Sequence, residues 1–326
     1  MKTIPFFLLL ACGVQGQTIP SVTLEIEVEN VVPYFRDTPD YSKYATDPAM
    51  TSNAASRNFG GGFLVGDIVS VNGKPAKGVW VSRAELIFMN PTPTPGQMIA
   101  DVTRTGTLEW IHEILQPDGT PVGTFMATGL NGGPPPPGAP ITESPGQTNM
   151  TIVGGTGAFL GARGQAKVNR STPYPGANAG GSFTEDPITR RTNRRTSRRH
   201  VVHLIPLAVP QVTGVYHGGD FSPVTPTNPA RKGELLIVSA SGLGPTRPGV
   251  NPGQTFPAAP LQEVNSPLDV TVNGKDAVVV NKVGWPGMID GHRVDFTVPD
   301  GVAAGMATLQ LTSAWIAGGE LKIPVQ

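Results

Sequence analysis

The chain has 326 residues, with 24 lysine and arginine residues balanced by 24 aspartate and glutamate residues, 41 glycines, 34 prolines and one cysteine. That length points to two domains, a single cysteine excludes a disulfide framework, and beyond the first residues no segment approaches the ~20 apolar residues of a membrane-spanning helix. Strongly alternating apolar segments lie between the glycine and proline clusters, which is the pattern of short strands joined by turns rather than of a disordered chain.

The first residues are Met1-Lys2, an apolar run from Ile4 to Ala11, and Val14-Gln15-Gly16. A basic start, a short apolar centre and small residues at the end describe a secretory signal peptide, with cleavage expected after Gly16. Leu9-Leu10-Ala11-Cys12 also fits a bacterial lipoprotein box, so lipid anchoring at Cys12 is the alternative. Cleavage after Gly16 leaves a mature protein without a disulfide, a thiolate nucleophile or a cysteine metal ligand. The expected location is secreted, periplasmic or at the cell surface.

Strands are expected in chain order at residues 22–29, 62–71, 78–89, 99–115, 122–129, 149–153, 163–168 and 200–205. Val71-Asn72-Gly73-Lys74, Gln116-Pro117-Asp118-Gly119 and the four-proline segment 132–140 supply turns between them. No stretch of the mature chain carries a capped apolar stripe of helical period. About eight strands without helices predict a closed barrel, which removes exposed sheet edges. Ile205-Pro206-Leu207-Ala208-Val209-Pro210 reads as an extended linker, since each proline biases its predecessor away from helix. Shorter strands follow at 234–239, 268–272, 277–280, 293–298, 307–311 and 320–325, the spacing of a β-sandwich. Asn273-Gly274 is the strongest hairpin signal in the chain. The expected division is a signal peptide at 1–16, a barrel at 17–206 and a sandwich at 207–326.

The segment Val153-Gly154-Gly155-Thr156-Gly157-Ala158-Phe159-Leu160-Gly161-Ala162-Arg163-Gly164 invites a dinucleotide-loop reading. Leu160 breaks the Gly-x-Gly-x-x-Gly spacing, and a dinucleotide loop must open a helix whose N-terminus faces the pyrophosphate. Here a short strand-like run and then Pro173 and Pro175 follow instead. The glycines are expected to permit a tight turn and close strand approach, with Phe159 plugging one barrel end.

This stretch, together with Val65-Gly66-Asp67-Ile68-Val69 and Asn72-Gly73-Lys74, resembles the dirigent and allene oxide cyclase superfamily. The resemblance covers roughly residues 20 to 205 and implies an eight-stranded antiparallel barrel holding a hydrophobic, reactive molecule without metal or organic cofactor. In the cyclases, polar groups of the first strand hold a water, and the matching positions are Glu27 and Glu29. Glu29 departs from the family's pattern, which has an amide there. Period two in Leu24-Glu25-Ile26-Glu27-Val28-Glu29 favours a solvated outer face for these glutamates.

His112 shares the apolar face of its strand with Leu108, Trp110 and Ile114. It is a candidate base or ligand donor, set against a core histidine bonded to backbone. Trp110, His112 and Tyr34 are the candidate ligand contacts, with Tyr34, Phe35, Tyr41 and Tyr44 as a lid or a packed loop. Arg190, Arg191, Arg194, Arg195, Arg198 and Arg199 form a basic run. Arg194, Arg195, Arg198 and Arg199 are the candidate contacts to an anionic polysaccharide or lipid headgroup, set against a solvated loop. The run carries no stacking aromatics, so no nucleic-acid partner is expected.

Gly233-Glu234-Leu235-Leu236-Ile237-Val238, Val270-Thr271-Val272-Asn273-Gly274 and Phe296-Thr297-Val298-Pro299 occur in the order seen in a C-terminal domain of secreted proteins from soil Acidobacteria. This resemblance implies an immunoglobulin-like sandwich without catalytic residues. The leading expectation is an exported protein whose barrel binds a small hydrophobic or phenolic molecule. A cofactor-free cyclase or isomerase and a structural cell-surface adhesion protein are the alternatives, and the oligomeric state is left open.

Overall fold

Alternation with period two runs through the first nine strands and sets an inside and an outside. The computed structural model describes residues 22–35, 58–88, 104–130, 149–169, 196–251 and 253–326. The elements are β1 (Val22–Phe35), β2 (Asn58–Val71), the two-residue β3 (Lys74–Pro75), β4 (Lys77–Phe88), β5 (Arg104–Leu115), β6 (Pro121–Leu130), β7 (Asn149–Gly157), β8 (Arg163–Asn169) and β9 (Thr196–Ile205). Their order is β1-β9-β8-β7-β6-β5-β4-β2, and β1 pairs β2, so eight antiparallel strands close into a barrel with β3 at its rim. Leu24, Ile26 and Val28 of β1, Trp80 of β4, Ile114 of β5, Phe125 of β6, Ile152 of β7 and Val202 of β9 fill its interior.

The glycine stretch forms the end of β7, a turn, and the start of β8, with no helix. Gly157 lies at φ 60°, and a Cβ there would sit 2.5 Å from the Val122 carbonyl oxygen. At Gly155 a Cβ would meet the carbonyl oxygens of Phe159 and Thr124 at 2.4 and 2.6 Å. Only glycine fits such close backbone approach. The turn places Phe159 inside, edge-on to Phe125 with ring centroids 5.7 Å apart.

The second unit holds β10 (Gln211–His217), β11 (Leu235–Ser241), β12 (Thr246–Arg247), β13 (Glu263–Val264), β14 (Leu268–Val272), β15 (Lys275–Gly284), β16 (His292–Thr297), β17 (Gly305–Ser313), β18 (Ile316–Ala317) and β19 (Leu321–Val325). It is all antiparallel among named strands, as expected, and its strands connect into one curled sheet, a half-barrel. The link is β15: Lys275, Asp276 and Ala277 pair with β14, and Val278 onward pairs with β16, whose ladder carries a bulge between Val279 and Asn281. The curl brings Leu236, Val238 and Phe296 onto Val272, Leu309 and Ile323 in a second core.

This unit caps one end of the barrel. Ala314, Trp315 and Ile316 belong to the barrel core cluster rather than to their own. Polar contacts flank the plug: Lys74 Nζ donates to Asp269 at 2.6 Å, Gln116 Nε2 to the Asn265 carbonyl, and Asn265 Nδ2 to the Pro121 carbonyl. The linker expected at 205–210 lies against the same end, where Leu207 packs beside Gly161.

Candidate functional site

The described barrel interior contains one strongly polar layer. His112 on β5 and His200 on β9 are both fully buried, and His112 Nε2 lies 2.9 Å from His200 Nδ1. Trp80 on β4 and Trp110 on β5 enclose His200: the Trp110 ring stacks on it at 5.0 Å and the Trp80 ring meets it edge-on at 4.7 Å. Phe125 stacks on His112 at 4.4 Å. The rings therefore form a continuous column from Trp110 through the two imidazoles to Phe125 and Phe159.

Burial holds the pair neutral. It lowers the pKa of His112 to about 3. His200 is pushed well below the usual imidazole range by burial, and further by His112 and Arg198. A neutral imidazole has one N–H and one bare nitrogen, so the mutual bond uses one donor and one acceptor. Whichever ring donates, the pair retains one free donor and one free acceptor. His112 Nδ1 and His200 Nε2 have no hydrogen-bond partner, and neither does the indole nitrogen of Trp80. Each unmade buried bond costs ~1–3 kcal/mol, so this layer is incomplete as it stands.

The remaining sequence candidates fall elsewhere. Glu27 lies on the outer face, where Arg199 Nη2 donates to it at 2.6 Å and Ser70 Oγ at 3.1 Å. The Arg199 bond, followed by that of Ser70, holds its carboxyl below the usual range. Glu29 is exposed on the same face. The four candidate arginines separate: Arg198 pairs in register with the buried Val28 and faces inward, its guanidinium 5.0 Å from the Trp80 ring centre. Arg199 faces outward to Glu27. Arg194 and Arg195 lie outside the described residues, as do Tyr41, Tyr44 and the segment 1–16; so does the Tyr34 side chain, although its backbone is in β1.

The structure thus joins Trp110 and His112 and adds Trp80 and His200, which sequence reasoning had not singled out. The signal for His200 was present, because Arg198, His200, Val202 and Leu204 alternate with Arg199, Val201 and His203. Two aliphatic residues mark that face as the inner one. The arginine run drew attention to charge and away from this period.

Among the described residues no group of three or more histidine, cysteine, aspartate or glutamate side chains could hold a metal ion. Fold and site define an all-β protein: a closed antiparallel barrel with a buried neutral histidine pair, capped by a curled sheet. No family model matches the chain, and comparison with curated proteins finds no match.

Proposed function

We propose that this is an exported protein whose barrel, of the dirigent and allene oxide cyclase type, binds a small hydrophobic molecule bearing a hydroxyl group, such as a phenol. The observation that carries this reading is the set of unpartnered nitrogens on His112, His200 and Trp80 in a mainly aromatic and aliphatic interior, with the Arg198 guanidinium over the Trp80 ring. A hydroxyl both donates and accepts, so it complements the one donor and one acceptor that the neutral pair leaves over. The C-terminal unit, read as an immunoglobulin-like module, serves as an accessory that seals the barrel end with Trp315.

Binding is favoured over chemistry. A histidine with a pKa of about 3 is a weak base at neutral pH, far from the poise of a general base. Glu27, the residue matched to the cyclase water site, is held by Arg199 on the outer face. The cyclase reading therefore has less support than binding.

A second reading has its own observation. Trp80, Trp110, His112, Phe125 and His200 are at most 2 % exposed, so this layer is filled. A barrel filled along its whole length would be a structural surface module. Under the binding reading, Trp110 and Leu108, the next inward residues of β5 away from the Trp315 end, must move aside for the ligand. Mass spectrometry of denatured protein, purified without detergent, tests the choice. A hydrophobic hydroxyl compound released from wild type and lost from His112→Leu/His200→Leu supports binding. Absence of any released compound, together with no Trp fluorescence response to a panel of phenols, leaves the structural reading.

A further inference from the structure

A separate cavity of about 390 Å³ opens where the barrel meets the second unit. Leu160 of the barrel turn, Leu207 and Pro210 of the linker, and Leu243, Phe256 and Ile316 of the second unit line it. Its size falls in the range of small-molecule sites. Among the described residues Asp290 is the single charged one in the lining, and the amides of Asn251 and Gln254 are its other long polar side chains. Such a wall disfavours anions and leaves an apolar molecule little to desolvate against.

Two buried polar side chains lie behind this wall without being satisfied by the protein. His292 is fully buried beside Phe256, ring centroids 5.3 Å apart, and neither ring nitrogen makes a well-directed hydrogen bond, although the backbone of Asp290 and Gly244 lies next to it. Ser266 Oγ also lacks a partner and is 3.2 Å from where a Cβ on Gly244 would stand. Gly244 lines the cavity, so the missing side chain keeps that wall thin. Strain gathers at the same place: Asp290 and Ala314 line the cavity at φ 52° and 49°, and Trp315 beside them has φ 62°. Non-glycine residues in the left-handed region cluster where function holds them.

We infer that this cleft is a binding site for a neutral, mostly apolar small molecule with one hydrogen-bonding end at the Gly244 wall. It is distinct from the barrel interior and does not depend on the barrel's being a container.

The test is a fluorescence titration of the full chain with the neutral probe N-phenyl-1-naphthylamine. Leu207→Arg and Ile289→Glu alter exposed lining residues and leave both cores intact. The expected result is saturable enhancement in the wild type, weakened at least tenfold in each of these variants and retained in His112→Leu/His200→Leu. No saturable enhancement, binding changed less than threefold in both cleft variants, or binding lost in the barrel double variant would each overturn the assignment.

Discussion

His112 Nε2 and His200 Nδ1 meet at 2.9 Å across the barrel interior, joining strands that lie 88 residues apart in sequence at this pair. Both rings are neutral because burial makes their protonation unfavourable. That single relationship generates the clearest pH dependence of the molecule.

In the unfolded chain each histidine titrates near 6.5, whereas in the fold His112 titrates near 3 and His200 well below its ordinary value. Between those limits the unfolded state binds more protons, so stability rises with pH and is lost as pH falls below about 6.5. The slope approaches ~1.4 kcal/mol per pH unit for each histidine. Urea unfolding between pH 7 and pH 4 is expected to show this decline, with a flatter curve for His112→Leu/His200→Leu. Parallel curves for the two proteins would show that the pair is not the source.

Removing both rings is expected to cost less than the sum of the two single losses. His112→Ala leaves a cavity and takes the partner from His200, a loss of about 2–4 kcal/mol. A double-mutant cycle with His200→Ala should return a coupling of at least about 0.5 kcal/mol, measured by chemical denaturation. Additive losses would place the two rings in independent sites.

The hairpin Ser313–Ile316 turns through Ala314 and Trp315, both in the left-handed region at φ 49° and 62°. Tight hairpin turns of this kind normally take Asn-Gly, and each L-residue there carries ~1–2 kcal/mol of strain. Ala314→Gly is expected to raise stability by up to about 1 kcal/mol, after glycine's entropic penalty. Trp315→Gly relieves similar strain yet removes the barrel plug, and should lower stability by ~3 kcal/mol or more. Opposite signs in thermal denaturation check the argument; a gain in stability for Trp315→Gly would mean that Trp315 is not packed as described.

Glu27 is half exposed, and its pair with Arg199 stands on the outer face. Glu27→Gln is therefore expected to change stability by less than about 1 kcal/mol and to leave any ligand recovered from the barrel unchanged in amount. Loss of that ligand would return Glu27 to the site.

Much of the barrel was legible because side chains alternate along strands. Leu108, Trp110, His112 and Ile114 announce their shared face, and the broken Gly-x-Gly-x-x-Gly spacing announces a turn. His200 and Trp80 were not legible as site members: Trp80 meets His112 through the register of the β4–β5 pair and His200 joins them through closure of the sheet, and no local period records either. The same limit hid the role of Trp315: Ala314-Trp315 carries no turn signal, and its destination is another unit. The curled second sheet escaped because β15 changes partners partway along one uninterrupted strand.

The most direct test of the central claim is calorimetric titration with 2-naphthol and its methyl ether, 2-methoxynaphthalene, which differ in the hydroxyl donor. The account expects 2-naphthol to bind at least tenfold more tightly, and expects that preference to vanish in His112→Leu/His200→Leu. Equal affinity for the two compounds, or a preference that survives loss of both histidines, would contradict it.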